Sequence, residues 1–153
     1  NSSKLKFDIS FNKLIYKSAK SKYIENDINT FNFEKFKDSL TSSVAFFDDH
    51  CSQLDRFLKC HNLKIPNMVF DDDVNFETIH SDGWPSFPTI SMLRDKLLIK
   101  KFNWVHVGRS AKGSYKNKFD KKLLNNYYFS TAPNISRITG YYVQSPMTFI
   151  VKK

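Results

Sequence analysis

Glycine and arginine are the scarce residues of this chain, with four of each among 153 residues. So few glycines leave no room for long flexible linkers. So few arginines leave little capacity for the planar, bidentate recognition that guanidinium groups provide. Cysteine is scarcer still, at Cys51 and Cys60 alone. A secreted scaffold held by several disulfides is thereby excluded, and two unbridged thiols suit a reducing, intracellular compartment. No apolar run approaches the length of a membrane-spanning helix, and no secretory leader pattern is visible. Gly-x-Ser-x-Gly, CxxC and HExxH are all missing, so neither a cofactor nor a metal is expected from motif alone.

What the chain has in quantity is aromatic bulk and lysine. Hydrophobic residues make up 41% and aromatics 16%, with 15 Phe and 7 Tyr, which is ample for one core. One globular domain over residues 1–153 is the expectation. The start at Asn1 and the strand-like run near the end suggest a module of a longer protein.

The net charge of +9 is segregated: residues 1–24 carry +5, residues 25–99 carry −6 and residues 100–153 carry +10. Such asymmetry points to a polyanionic partner more strongly than the total does.

Hydropathy patterning predicts an α+β fold. Alternation over 4–9 predicts a strand, and 11–24 reads as a helix. Phe33, Phe36, Leu40, Val44, Phe47, Cys51, Leu54 and Leu58 recur at steps of three and four. That stripe predicts one long central helix over 33–60, bent at Thr41-Ser42-Ser43 and ended by Pro66. A strand follows at 65–70, then a second helix at 89–102 with Pro88 in its first turn. Strands are predicted at 103–107, 137–143 and 147–151, an exposed basic loop at 108–122 and a short helix at 121–129. The sheet is expected to be small and antiparallel. The helix, strand and long basic loop of the C-terminal half also loosely resemble a winged helix.

Four segments invite chemistry. His50-Cys51 and Cys60-His61 mimic a zinc pattern, but on one continuous helix the two thiols would stand roughly 13 Å apart along the axis, on opposite faces. Asp71, Asp73, Asn75 and Asp82 fall at calcium-loop positions, yet Phe76 occupies the place that needs Gly for the sharp turn. The same run read as a nuclease site would use Asp71, Asp73, Glu77 and His80. Gly108-Arg109-Ser110-Ala111-Lys112-Gly113-Ser114 approximates a phosphate loop, but Lys112 precedes the second Gly instead of following it.

The strongest remaining signal is the basic, aromatic-interleaved last third. Lys100, Lys101, Arg109, Lys112, Lys116, Lys118, Lys121 and Lys122 are eight cations within 23 residues, with Arg137 beyond. Trp104 and Tyr115 lie among them. Lysines and Arg109 suit phosphates, and flat rings suit unpaired bases. The sequence therefore predicts a non-enzymatic nucleic-acid-binding module, DNA or RNA, acting in the nucleus. A protein partner anchored by Trp84 and Phe87 is the first alternative, and a small metal-dependent nuclease the second. No membrane partner is expected, since no cationic amphipathic helix with aromatic anchors is present.

Overall fold

A computed structural model describes residues 6–10, 13–17, 24, 26–74, 88–94, 101–106, 111–116, 119–133, 136–140 and 146–153, the strands between 6 and 17 and between 101 and 116 by their backbone. The chain divides into two compact units, Asn1–Phe31 and Asn32–Lys153. Among the described residues no helix is long and apolar enough to cross a membrane.

In the first unit β1 (Lys6–Ser10) pairs antiparallel with β2 (Lys13–Lys17), Phe7 opposite Tyr16 and Ile9 opposite Leu14. The expected helix over 11–24 is thus replaced by a strand at its centre. Leu14-Ile15-Tyr16 is branched and aromatic, which suits a pleated surface, and two residues suffice to link antiparallel strands.

The second unit is α+β. Its order is a 3₁₀ turn (Glu34–Phe36), α1 (Lys37–Leu40), β3 (Val44–Phe47), α2 (Gln53–Asn62), β4 (Asn67–Phe70) and α3 (Ile90–Arg94). Then come β5 (Lys101–His106), β6 (Ala111–Lys116), a second 3₁₀ segment (Lys121–Asn126), β7 (Tyr127–Thr131), α4 (Ser136–Thr139) and β8 (Thr148–Lys152). The main sheet has the order β3-β4-β8-β7 and is mixed instead of purely antiparallel. β3 and β4 run parallel, joined through α2, while β8 is antiparallel to both β4 and β7.

The single helix over 33–60 is therefore a correction. The hydroxyls of Thr41, Ser42 and Ser43 each donate to the carbonyl three residues back, at 3.3, 3.2 and 2.7 Å, and close α1. Val44-Ala45-Phe46-Phe47 then takes the extended state and pairs with β4. Its Val44 and Phe47 had satisfied the helical stripe by coincidence of spacing. α2 restarts at Ser52, whose hydroxyl accepts from Asp55 N at 3.3 Å.

Four further expectations change. The helix over 89–102 survives as α3, but Lys101 and Phe102 belong to β5. The loop over 108–122 contains β6, because Ala111-Lys112-Gly113-Ser114-Tyr115-Lys116 alternates with period two. Where a strand over 137–143 was expected, Ser136–Thr139 forms a helical turn, α4, closed by Gly140 at φ +71°, a left-handed cap position glycine adopts freely, and 141–143 lie outside the described residues. Lys121–Asn126 is 3₁₀, and the following Tyr127–Phe129 is strand.

The core lies on one face of the main sheet. Phe47, Met68, Phe70 and Ile150 are buried there with Leu54, Phe57 and Cys60 of α2 and Ile90 and Leu93 of α3. Phe47 and Phe70 stack with centroids 5.0 Å apart. The opposite face is apolar as well. Register aligns Val44, Asn67, Val151 and Tyr128 in one row and Phe46, Val69, Phe149 and Ser130 in the next. Val44, Phe46, Tyr128, Phe149 and Val151 of these rows are exposed.

Candidate metal centre and basic segment

The parallel pairing of β3 and β4 has a direct consequence for the acidic residues. Both strands end in aspartates, Asp48-Asp49 after β3 and Asp71-Asp72-Asp73 after β4. Because the strands point the same way, both sets emerge at the same edge of the sheet. Asp71 N donates to Phe47 O at 3.0 Å, which extends the ladder one step and ties the two loops together. Carboxyl ends of parallel strands are where ligands bind in open α/β sheets.

There Asp48, His50 and Asp72 bring one ligand atom each to within 4.8 Å of one another. His50 Nδ1 and Asp72 Oδ2 are 3.1 Å apart. His50 and Asp72 both sit on left-handed backbone, φ +51° and +54°, a conformation uncommon outside glycine though tolerated by His and Asp. Two carboxylates and an imidazole form a donor set for Mg²⁺, Mn²⁺ or a later divalent metal. The neighbouring Asp71 carboxyl is raised above the usual carboxylate range, by partial burial first and by the charges of Asp72 and Asp48 beyond that.

Below this cluster lies a buried polar layer. Gln53 Nε2 donates to Asp71 O at 2.7 Å, and Gln53 Oε1 accepts from Ile90 N at 2.9 Å. Arg56 Nε donates to Asp49 Oδ2 at 2.7 Å. Asp73, read from sequence as a calcium or magnesium ligand, turns inward. It accepts from Ser91 N at 2.6 Å and Ser91 Oγ at 2.9 Å, and burial pushes its carboxyl up. Thr89 Oγ1 accepts from Met92 N at 3.2 Å and donates to Val74 O at 2.6 Å. The first three N–H groups of α3 thus end on Gln53, Asp73 and Thr89. The calcium-loop and nuclease readings of 71–82 lose Asp73 to this capping role, and Asn75, Glu77, His80 and Asp82 lie outside the described residues.

The cysteines are free, Cys51 exposed before α2 and Cys60 buried within it. They are separated by a helix start and not by one continuous helix. Burial pushes the Cys60 thiol up to about 12. His61 Nδ1 meets Tyr127 Oη at 2.7 Å.

Of the residues expected to contact nucleic acid, Lys101, Trp104, Lys112, Tyr115 and Lys116 are brought into one two-stranded ladder, with Lys101 opposite Lys116 and Val105 opposite Lys112. Lys121 and Lys122 are on the 3₁₀ segment, half-buried and exposed respectively, and Arg137 is exposed on α4. Lys100, Arg109 and Lys118 lie outside the described residues, as do Trp84 and Phe87.

Sequence reading did not bring Asp48, His50 and Asp72 together, and named His50 only in the zinc pattern it set aside. The available signal was a repeated pattern: a four-residue strand ending in aromatic-Asp-Asp, once at Phe47-Asp48-Asp49 and again at Phe70-Asp71-Asp72, with an amphipathic helix between. Comparison with models of protein families, with curated proteins and with solved structures returns no match.

Proposed function

We propose that this chain binds a divalent cation at the carboxyl ends of β3 and β4 and uses it to hold an oxygen-bearing anionic ligand for metal-assisted chemistry. The observation that carries the reading is the convergence of Asp48, His50 and Asp72 within 4.8 Å at that edge. Three protein donors leave several positions of a six-coordinate cation for ligand or water. A cation held there by Asp48, His50 and Asp72 would polarise or orient a phosphate, carboxylate or hydroxyl oxygen. The chain's charge of +9 favours an anionic partner over a cationic one. Titration of Mn²⁺ by calorimetry, with free Mn²⁺ followed by electron paramagnetic resonance, tests the site. Wild-type chain is expected to bind one equivalent, and Asp48→Ala or Asp72→Ala to weaken binding by roughly 100-fold or more. Equal affinity in wild type and both variants refutes the assignment.

A second reading is favoured by the charge segregation. The last 54 residues hold +10, and this basic third supports contact with nucleic-acid phosphates without an enzymatic step. Anisotropy titration with labelled duplex DNA, single-stranded DNA and RNA is expected to show log affinity falling linearly with log salt, by about 0.9 for each phosphate contacted in a duplex. Charge reversal at Lys116, Lys118 and Lys121 is expected to flatten that slope. Unchanged affinity in the reversed variant would remove the reading.

A further inference from the structure

The two loops that carry Asp48, His50 and Asp72 are separated by α2 in sequence, and the first turn of α2 holds both of them from below. Gln53 and Arg56 are three residues apart and so share a helix face. They are 2% and 3% exposed, unusual for such residues. Gln53 grips the loop after β4 through the backbone carbonyl of Asp71, directly before the ligand Asp72. Arg56 grips the loop after β3 through the carboxylate of Asp49, between Asp48 and His50. The second Asp49 oxygen accepts from Cys51 N at 3.2 Å, which closes that loop into a turn around His50.

We infer that Gln53 and Arg56 are positioning residues for the cation site: α2 sets the separation of the two ligand loops, and with it the cation affinity. The inference rests on the cation reading above. Its physical basis is preorganisation. Three donors already held within 4.8 Å of one another lose little freedom on binding, whereas two loops free to drift apart must be ordered at the moment of capture. Neither residue belongs to the donor set. Each acts through a peptide or carboxylate next to a ligand, as the outer partners of metal ligands do.

The test uses the full chain and Mn²⁺, read by calorimetry and by electron paramagnetic resonance at a temperature where every variant is folded by circular dichroism. Gln53→Met and Arg56→Met are each expected to weaken Mn²⁺ binding by about 10- to 100-fold. Arg56→Lys, which keeps a cation beside Asp49, is expected to recover part of the loss. Leu54→Ala is the control. It removes a buried side chain from the same turn of α2 and keeps the Gln53 and Arg56 hydrogen bonds to the loops, and is expected to lower the melting temperature while leaving Mn²⁺ affinity within about threefold.

Three results overturn the inference. Wild-type affinity in both methionine variants ends it while leaving the cation site intact. A loss in Leu54→Ala equal to theirs assigns the effect to helix stability instead of positioning. A wild-type chain that binds no Mn²⁺ removes the site and this inference together.

Discussion

Asp73→Ala is expected to destabilise the fold by about 3 kcal/mol, measured by guanidinium denaturation followed by circular dichroism. Asp48→Ala and Asp72→Ala, without cation, are expected to stay within about 0.5 kcal/mol of wild type. The contrast separates aspartates of one acidic edge by where each carboxylate goes. Asp73 is completely buried. Its two oxygens take the N–H and hydroxyl of Ser91, and alanine would leave both donors without a partner inside the protein. Hydrogen bonds to a charged acceptor are worth about 1.5–3 kcal/mol each, offset here by the cost of burying the carboxylate. A neutral result at Asp73 would show that α3 needs no cap from β4.

The same residue gives a pH dependence of defined sign. The Asp73 carboxyl is raised, chiefly by burial, so its native value lies above its unfolded one. Between those two values the folded chain holds a proton that the unfolded chain has released. Stability contributed by this group is therefore highest below the unfolded value and falls as pH rises to the native one. Asp73→Asn is expected to flatten that decline. Asp71, shifted in the same direction, keeps part of it.

Phe57→Ala carries the other large effect, a loss of about 3–5 kcal/mol, read by the same denaturation. Phe57 is fully buried on α2. Its ring meets Tyr127 edge-on at 5.0 Å and Phe119 at 6.2 Å, so it joins α2 to β7 and to the approach of the 3₁₀ segment. The cost combines lost transfer energy with a cavity that fixed neighbours cannot fill. Against a typical net stability of about 5–15 kcal/mol, one such loss consumes much of what holds the domain together. A loss below about 1 kcal/mol would mean that α2 does not pack on the sheet in this manner.

Much of the architecture was legible in the sequence where period and composition agreed. The strands at β1, β4, β5 and β8 follow alternation or short apolar runs, and the start of α3 follows Pro88. The failures share a cause. Val44 and Phe47 sit three residues apart and fit a helical stripe as well as a strand, and only pairing with β4 decides between the two. Lysine density disguised the alternation of β6 as a loop. The grouping of the metal-binding candidates was hidden for a further reason. Asp48 and Asp72 are remote in sequence, and their proximity is created by parallel pairing, which no local pattern announces. Asp73 misled in the opposite sense, since a carboxylate in an acidic run looks solvated until its neighbours' side chains are placed.

The exposed rows of Val44, Phe46, Phe149, Val151 and Tyr128 on the sheet's outer face bear on how the protein is handled. Dyes such as ANS brighten on apolar surface and are used to recognise loosely packed acid states. Here the native sheet itself supplies that surface. A bright dye signal from this chain at neutral pH is therefore no evidence of lost packing, and near-ultraviolet circular dichroism is the appropriate gauge of its folded state.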